Sequence, residues 1–209
     1  ASHVFRLTNP TDERVAVQIS IVPRSMNVDG TEVQGPESEE FVIFPRQLLM
    51  DPGERRSVRV RWTGPDQLEH ERAYRIIAAQ VPVDMGQEQP LQGGGIRLTY
   101  RYEGSIYVVP PGARPEISVA SVERTTRDGE WVLLVRVANT GTRHTLLTDA
   151  SLQLTDEPSG EVRLELGPEQ LPGMAGENVL ADSVREFVIP APEGLWEGRV
   201  YARIRIDAE

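Results

Sequence analysis

The side chains that most often do chemistry are few and scattered in this chain. Its three histidines, His3, His70 and His144, lie in separate segments with no spacing that would make a metal pair or a catalytic triad. Each is expected at the surface. There is no cysteine, which excludes disulfides, thiolate metal sites and cysteine nucleophiles. Carboxylates are many but dispersed, and nothing selects a pair for glycoside hydrolysis. Residues 93–96, GGGI, precede a strand-like run and lack the lysine and helix of a phosphate-binding loop, and no nucleophile elbow occurs. The acidic loop at 35–40, GPESEE, lacks the ligand spacing of calcium loops and reads as solvated. No catalytic residue, metal site or cofactor is expected, and the chain reads as a non-enzyme.

What remains is the chemistry of backbone pairing. Residues 93–110 read GGGIRLTYRYEGSIYVVP, in which Ile96, Leu98, Tyr100 and Tyr102 alternate with Arg97, Thr99, Arg101 and Glu103. As a strand, this places four large apolar or aromatic groups on one face. Such a strand is either a buried partner in a sandwich or an edge that lends its side chains to another molecule. A second pattern lies in RRSVRVRW, where Val58, Val60 and Trp62 face inward between Arg59 and Arg61. The arginines read as an anion-binding stripe or, more simply, as polar groups on a wet face; the simpler reading is preferred.

The elements that would position these residues are short strands. The chain has 209 residues, 39% hydrophobic, with 18 Gly and 16 Pro, which suits one large folded domain or two ordinary ones. A net charge of −10 works against nucleic-acid binding, and no apolar run is long enough to span a bilayer. No signal peptide is visible. TNPTDE reads as the turn of an antiparallel hairpin whose second strand carries Val15, Val17, Ile19 and Ile21 on one face. Asp29-Gly30 and Asp128-Gly129 read as hairpin turns, Pro52-Gly53 as a turn before the arginine strand, and 65–72 as one helical turn. RAYRIIAAQVPV suits the middle of a sheet. PPGARP marks a stiff connector, and after it short alternating runs recur at roughly 8 to 12 residue spacing, the grammar of an antiparallel sandwich. The expectation is all-β: a domain at 1–110, a linker at 111–115 and a second sandwich at 116–209. The three tryptophans are expected in the cores.

The order of these signals is similar to that of a known family. LTNPTDERVAVQI, then FPRQLLMDPGERRSVRVRW, ERAYRIIAAQVPV, a polar loop, an alternating strand and SIYVVPPG before an Ig-like second half resembles the periplasmic chaperones of chaperone-usher pilus assembly, the PapD-like family. The likeness covers the first domain nearly end to end and the second only in general layout. It implies two immunoglobulin-like sandwiches in a boomerang arrangement, and it places the start of the chain at the family's second strand, so that a first strand is expected to be lacking. It also implies a role for the central strand: donor-strand complementation of a pilus or fimbrial subunit, with Ile96, Leu98 and Tyr100 at the family's donor positions and Tyr102 extending the set. The family's basic anchor for the subunit carboxylate matches Ser105, which leaves Arg101 or Arg97 as replacements; wet-face charge is the alternative for both. The interdomain ion-pair partners of the family fall on Gln80 and Val109 and are lacking together. SIYV resembles the strand end of the archaic branch.

The function so implied is periplasmic: binding pilus subunits, passing them to an outer-membrane usher, and self-associating through the donor strand when unoccupied, with no nucleic-acid partner and no membrane insertion. The rival readings are a two-domain Ig-like adhesin or pilus subunit, and a carbohydrate-binding module with an aromatic platform.

Overall fold

The computed structural model of the chain describes residues 1–82 and 99–206. The chain forms two compact units, the first comprising Ala1–Arg24, Gln34–Asp66 and Ala73–Tyr107, the second Ser25–Val33, Gln67–Arg72 and Val108–Glu209. Both are built from strands.

The first eight strands, which lie in the first unit except for most of β3 and the end residues of β2, β7 and β8, are β1 (Ser2–Thr8), β2 (Val15–Met26), β3 (Glu32–Gln34), β4 (Phe41–Phe44), β5 (Gln47–Met50), β6 (Arg55–Trp62), β7 (Arg72–Val81) and β8 (Arg101–Val108). One sheet has the order β1-β6-β4; the other has the order β3-β2-β7-β8, with β5 also paired to β2. Period-two alternation gives each sheet an apolar face, and these faces close on one another: Ile19, Ile21 and Met50 from one sheet and Val58, Val60 and Phe41 from the other are all buried. Phe41 meets Trp62 and Tyr74 edge-on at 5.0 and 4.8 Å between ring centroids. β7 lies between β2 and β8, as its nearly continuous apolar run requires.

The expected β1–β2 hairpin does not form. β1 pairs with β6 while β2 pairs with β7, so residues 9–14 arch from one sheet to the other. Asn9 holds the arch. It is buried, and its Nδ2 reaches the carbonyls of Glu13, Met50 and Asp51 at 2.8, 3.2 and 3.1 Å while its Oδ1 accepts from Thr11 N and Oγ1. The turn was legible; its partner strands were not, because alternation states which face is wet and not which neighbour is bonded. Residues 65–71 likewise contain no helical turn.

The second unit carries β9 (Ile117–Arg127), β10 (Glu130–Asn139), β11 (Thr145–Leu146), β12 (Ser151–Thr155), β13 (Leu164–Leu166), β14 (Asn178–Val179), β15 (Ser183–Pro190) and β16 (Tyr201–Arg205). Sheets β15-β10-β9 and β13-β12-β16, with the pair β11-β14, enclose a core of Leu133, Val135, Leu152, Leu154, Phe187 and Ile189 among others. The β9–β10 turn has Asp128 and Gly129 both at positive φ, 51° and 84°, the geometry of a two-residue hairpin loop. Asp29-Gly30 instead sits in a loop closed by Asn27 N to Thr31 O, with only Gly30 at positive φ. Hydrogen bonds from the Thr31 hydroxyl and then its backbone N–H hold the exposed Asp29 carboxyl below its usual range. Asn139 repeats the role of Asn9: buried, it accepts from Glu116 N and Gly141 N and reaches Arg143 O and Val179 O. The end of the proline-rich connector is packed, since Thr140 and Thr142 donate to Glu116 O and Arg114 O.

Two surface expectations change. His144 is half-buried, with Nδ1 2.7 and 2.8 Å from the two oxygens of the buried Glu71 carboxylate. Trp131 is 53% exposed, with the Arg124 guanidinium 4.4 Å from its ring centroid.

Candidate functional site

β8 ends its sheet. It is bonded to β7 and, among the described residues, to no strand on its other side. The pairing continues upstream of the strand, where Gln80 N donates to Tyr100 O at 2.9 Å. A strand in this position presents a row of N–H and C=O groups to whatever can pair with it.

Its side chains divide by parity. Gly104, Ile106 and Val108 are half-buried, on the face turned into the sandwich. Gly104 has little room there, since a Cβ would meet Ile76 Cγ2 at 3.2 Å. Tyr100 and Tyr102 share this parity but lie where the sandwich is open, 46% and 61% exposed, with rings stacked at 6.3 Å and 14°. They line a cleft with Leu7, Val15, Val17 and Met50. Two large aromatic groups half in water beside an open backbone edge can be buried by a partner that adds a strand. Of the other sequence-predicted residues, Ile96, Leu98 and Arg97 lie outside the described residues.

The opposite face is polar. Arg101 Nε donates to Glu103 Oε1 at 2.7 Å and its Nη2 to Gln34 Oε1 at 3.3 Å, so Arg101 is engaged beside its own strand. Ser105 has a different setting. Its Oγ accepts from Arg24 Nη1 at 3.0 Å and from Arg75 Nη1 at 2.7 Å. Arg24 also donates to the Tyr107 hydroxyl at 3.3 Å, and only 8% of it is exposed. The β2–β7 register pairs Val22 with Arg75 and Pro23 with Tyr74, which puts Arg24 and Arg75 on the same outer face as Ser105 and Tyr107. Sequence reasoning missed both arginines, because only the register between distant strands brings them to Ser105. Among the described residues no group of three or more His, Cys, Asp or Glu side chains could hold a metal ion, and no helix is long and apolar enough to cross a membrane.

A family model described as pili and flagellar-assembly chaperone, PapD N-terminal domain, matches residues 1–113. No curated protein matches the chain. Among solved structures, the class 5 fimbriae chaperone CfaA is similar at a TM-score of 0.59 and 12% identity, over 100% of this chain and 93% of that one. A chain of the CFA/I chaperone–tip adhesin complex gives 0.58 and 12% over the same shares. A chain of the CsuC–CsuE chaperone–tip adhesion subunit pre-assembly complex, from the archaic Csu pili of Acinetobacter baumannii, gives 0.58 and 17% over 96% of this chain and 84% of that one. At these identities the structural likeness speaks for the fold.

Proposed function

The chain belongs to the pili and flagellar-assembly chaperones, and from that premise we propose that it is a periplasmic chaperone that completes a pilus subunit by lending it the stretch from Ile96 to Tyr102 as a strand. The observation that carries this reading is the edge position of β8 with Tyr100 and Tyr102 half-exposed on one parity. Strand addition takes its affinity from main-chain hydrogen bonds and its specificity from alternate side chains in pockets. Ile96, Leu98, Tyr100 and Tyr102 supply that alternation, and each Ile or Leu buried in a subunit groove contributes ~1.5–3 kcal/mol. No nucleotide is needed, and delivery to an outer-membrane usher is the next step of the same reading. Without a subunit, the edge associates with a second copy of itself. The rival reading, an adhesin or structural subunit, is not favoured, because the family match lies on a chaperone domain.

The subunit's terminal carboxylate is held, on this reading, by Arg24 and Arg75 across Ser105 and not by Arg101. Two guanidiniums converge on one hydroxyl there, on the strand that continues the lent stretch. The test is co-purification of a pilus subunit with the wild type beside a Leu98→Glu, Tyr100→Glu variant and an Arg24→Ala, Arg75→Ala variant. Loss of the subunit with the first, and weakened capture with the second that is matched by a subunit lacking its C-terminal carboxylate, are expected. Equal capture by folded wild type and strand variant would make the stretch ordinary sandwich core.

A further inference from the structure

We infer that the β9–β10 end of the second sandwich is a binding site for a short acidic saccharide, with Trp131 as its stacking surface and Arg124 as the clamp on the sugar carboxylate. The hairpin register sets Arg124 opposite Leu133 and Trp131 opposite Thr126. Arg124 and Trp131 are therefore diagonal neighbours on the face that carries Leu133 and Val135 into the core. At this end of the strands that face runs out into solvent, and Trp131 is 53% exposed. Glu123 and Glu130, the acids next to them in sequence, have the opposite parity and lie on the other face.

A loop holds the site from the side. Ala191 N donates to Trp131 O at 2.9 Å, which brings the start of residues 191–199 to the start of β10. Gly194 and Gly198, at φ of 79° and 102°, let this loop turn sharply, and Trp196 Nε1 closes it by donating to Arg199 O at 2.9 Å. Arg124 Nη1 donates to Trp196 O at 3.3 Å, while its guanidinium carbon lies 4.4 Å from the Trp131 ring centroid. One guanidinium thus joins the hairpin to the loop.

Its charge sets the site apart. Arg163, over the Trp196 ring, is neutralised by Asp156, and Arg185, over the Phe187 ring, by Glu177, both at 2.8 Å. Arg124, over Trp131, has no carboxylate among the described residues. Its Nε is buried without a hydrogen-bond partner, and Nη2 has none either among those residues. A half-buried cation without a counter-charge gains more from a bound carboxylate than an exposed one does, because less water screens the pair.

The neighbouring groups select a sugar. The guanidinium takes one face of the indole and leaves the exposed part of the ring for a ligand, whose polarised C–H groups are drawn to the ring's negative face as a cation is. The Trp131 N–H and the exposed Thr126 hydroxyl opposite it have no partner among the described residues, and they suit the hydroxyl groups at the rim of a pyranose. A net charge of −10 repels an extended polyanion, so the ligand carries a single carboxylate, as a uronic acid does, and is neither a nucleic acid nor an anionic membrane. Every residue of the site lies in the second unit, so this inference does not rest on strand donation.

The test is calorimetric titration of the full chain with methyl β-glucuronide beside methyl β-glucoside, two sugars that differ only at C6. It is repeated with Trp131→Ala, with Arg124→Gln and with Arg205→Gln, a control of equal charge change on the other sheet of the same unit. The wild type is expected to bind the glucuronide roughly ten-fold more tightly than the glucoside. Arg124→Gln abolishes that preference, Trp131→Ala weakens both sugars roughly five-fold, and the control changes neither by more than about two-fold. Should Arg124→Gln not fold, the preference of the wild type and the loss in Trp131→Ala, which truncates an exposed side chain, decide the matter alone. No binding of the glucuronide, equal binding of the two sugars, or equal losses in Arg124→Gln and the control would overturn the proposal. So would tighter binding of N-acetylphenylalanine, a stand-in for a peptide's terminal carboxylate, than of the glucuronide.

Discussion

Asn9 and Asn139 hold the two units in the same way. Each is buried at the end of a strand, and its single amide side chain joins the backbone of a sheet-crossing turn to a second segment. An alanine at either site leaves buried N–H and C=O groups without partners, which costs about 1–3 kcal/mol. Asn9→Ala and Asn139→Ala are therefore each expected to lower stability by that amount, read as a shift of the urea midpoint; a shift indistinguishable from that of an exposed Asn27→Ala change would refute it. The sequence exposed Asn9 as a turn residue in TNPTDE but not the reach of either asparagine, since the carbonyls of Met50, Asp51 and Val179 that they bond lie tens of positions away. The same blindness hid Arg24 and Arg75 at Ser105 and Glu71 at His144. A residue's type was readable, its distant partner was not.

At the scale of elements, alternation told nearly everything about faces and little about neighbours. Val58 and Val60 point inward, Arg59 and Arg61 outward, and β7 sits mid-sheet, all as the residue pattern requires. β1 and β2, adjacent in sequence and joined by a good turn, were nevertheless assigned to one sheet when they lie in two. Trp131, assigned to a core because large aromatics are usually buried, caps Arg124 near the surface instead. The connector shows how a glycine can fix an element that composition describes only as stiff. A Cβ on Gly141 would lie 2.4 Å from both Arg114 O and Glu116 N, so the backbone at 114–116 lies directly on it. Gly141→Ala must push that segment away and is expected to cost about 1–3 kcal/mol. Amide exchange at Thr140 and Thr142, whose N–H groups are bonded to it, should rise at the same time; unchanged exchange in the variant would show that the contact is not what holds the connector.

For the whole molecule, the family match and the edge position of β8 are the two observations on which the proposal of strand donation rests. The basic features of the first unit fall on outer faces: a guanidinium cluster at Ser105 on the outer face of the β8 sheet, and Arg59 and Arg61 on the other sheet. The cores were far more legible than the surfaces because burial constrains residue type and solvent does not. The absence of cysteine makes the central claim directly measurable. Single cysteines are placed in turn at Tyr100, Arg101, Tyr102 and Glu103, and the rate of thiol labelling is compared between the free protein and its complex with a pilus subunit. Donation of alternate side chains predicts strong protection of Tyr100→Cys and Tyr102→Cys in the complex, with Arg101→Cys and Glu103→Cys labelled nearly as fast as before. Uniform protection of all four, or protection of none while the subunit stays bound, would contradict it.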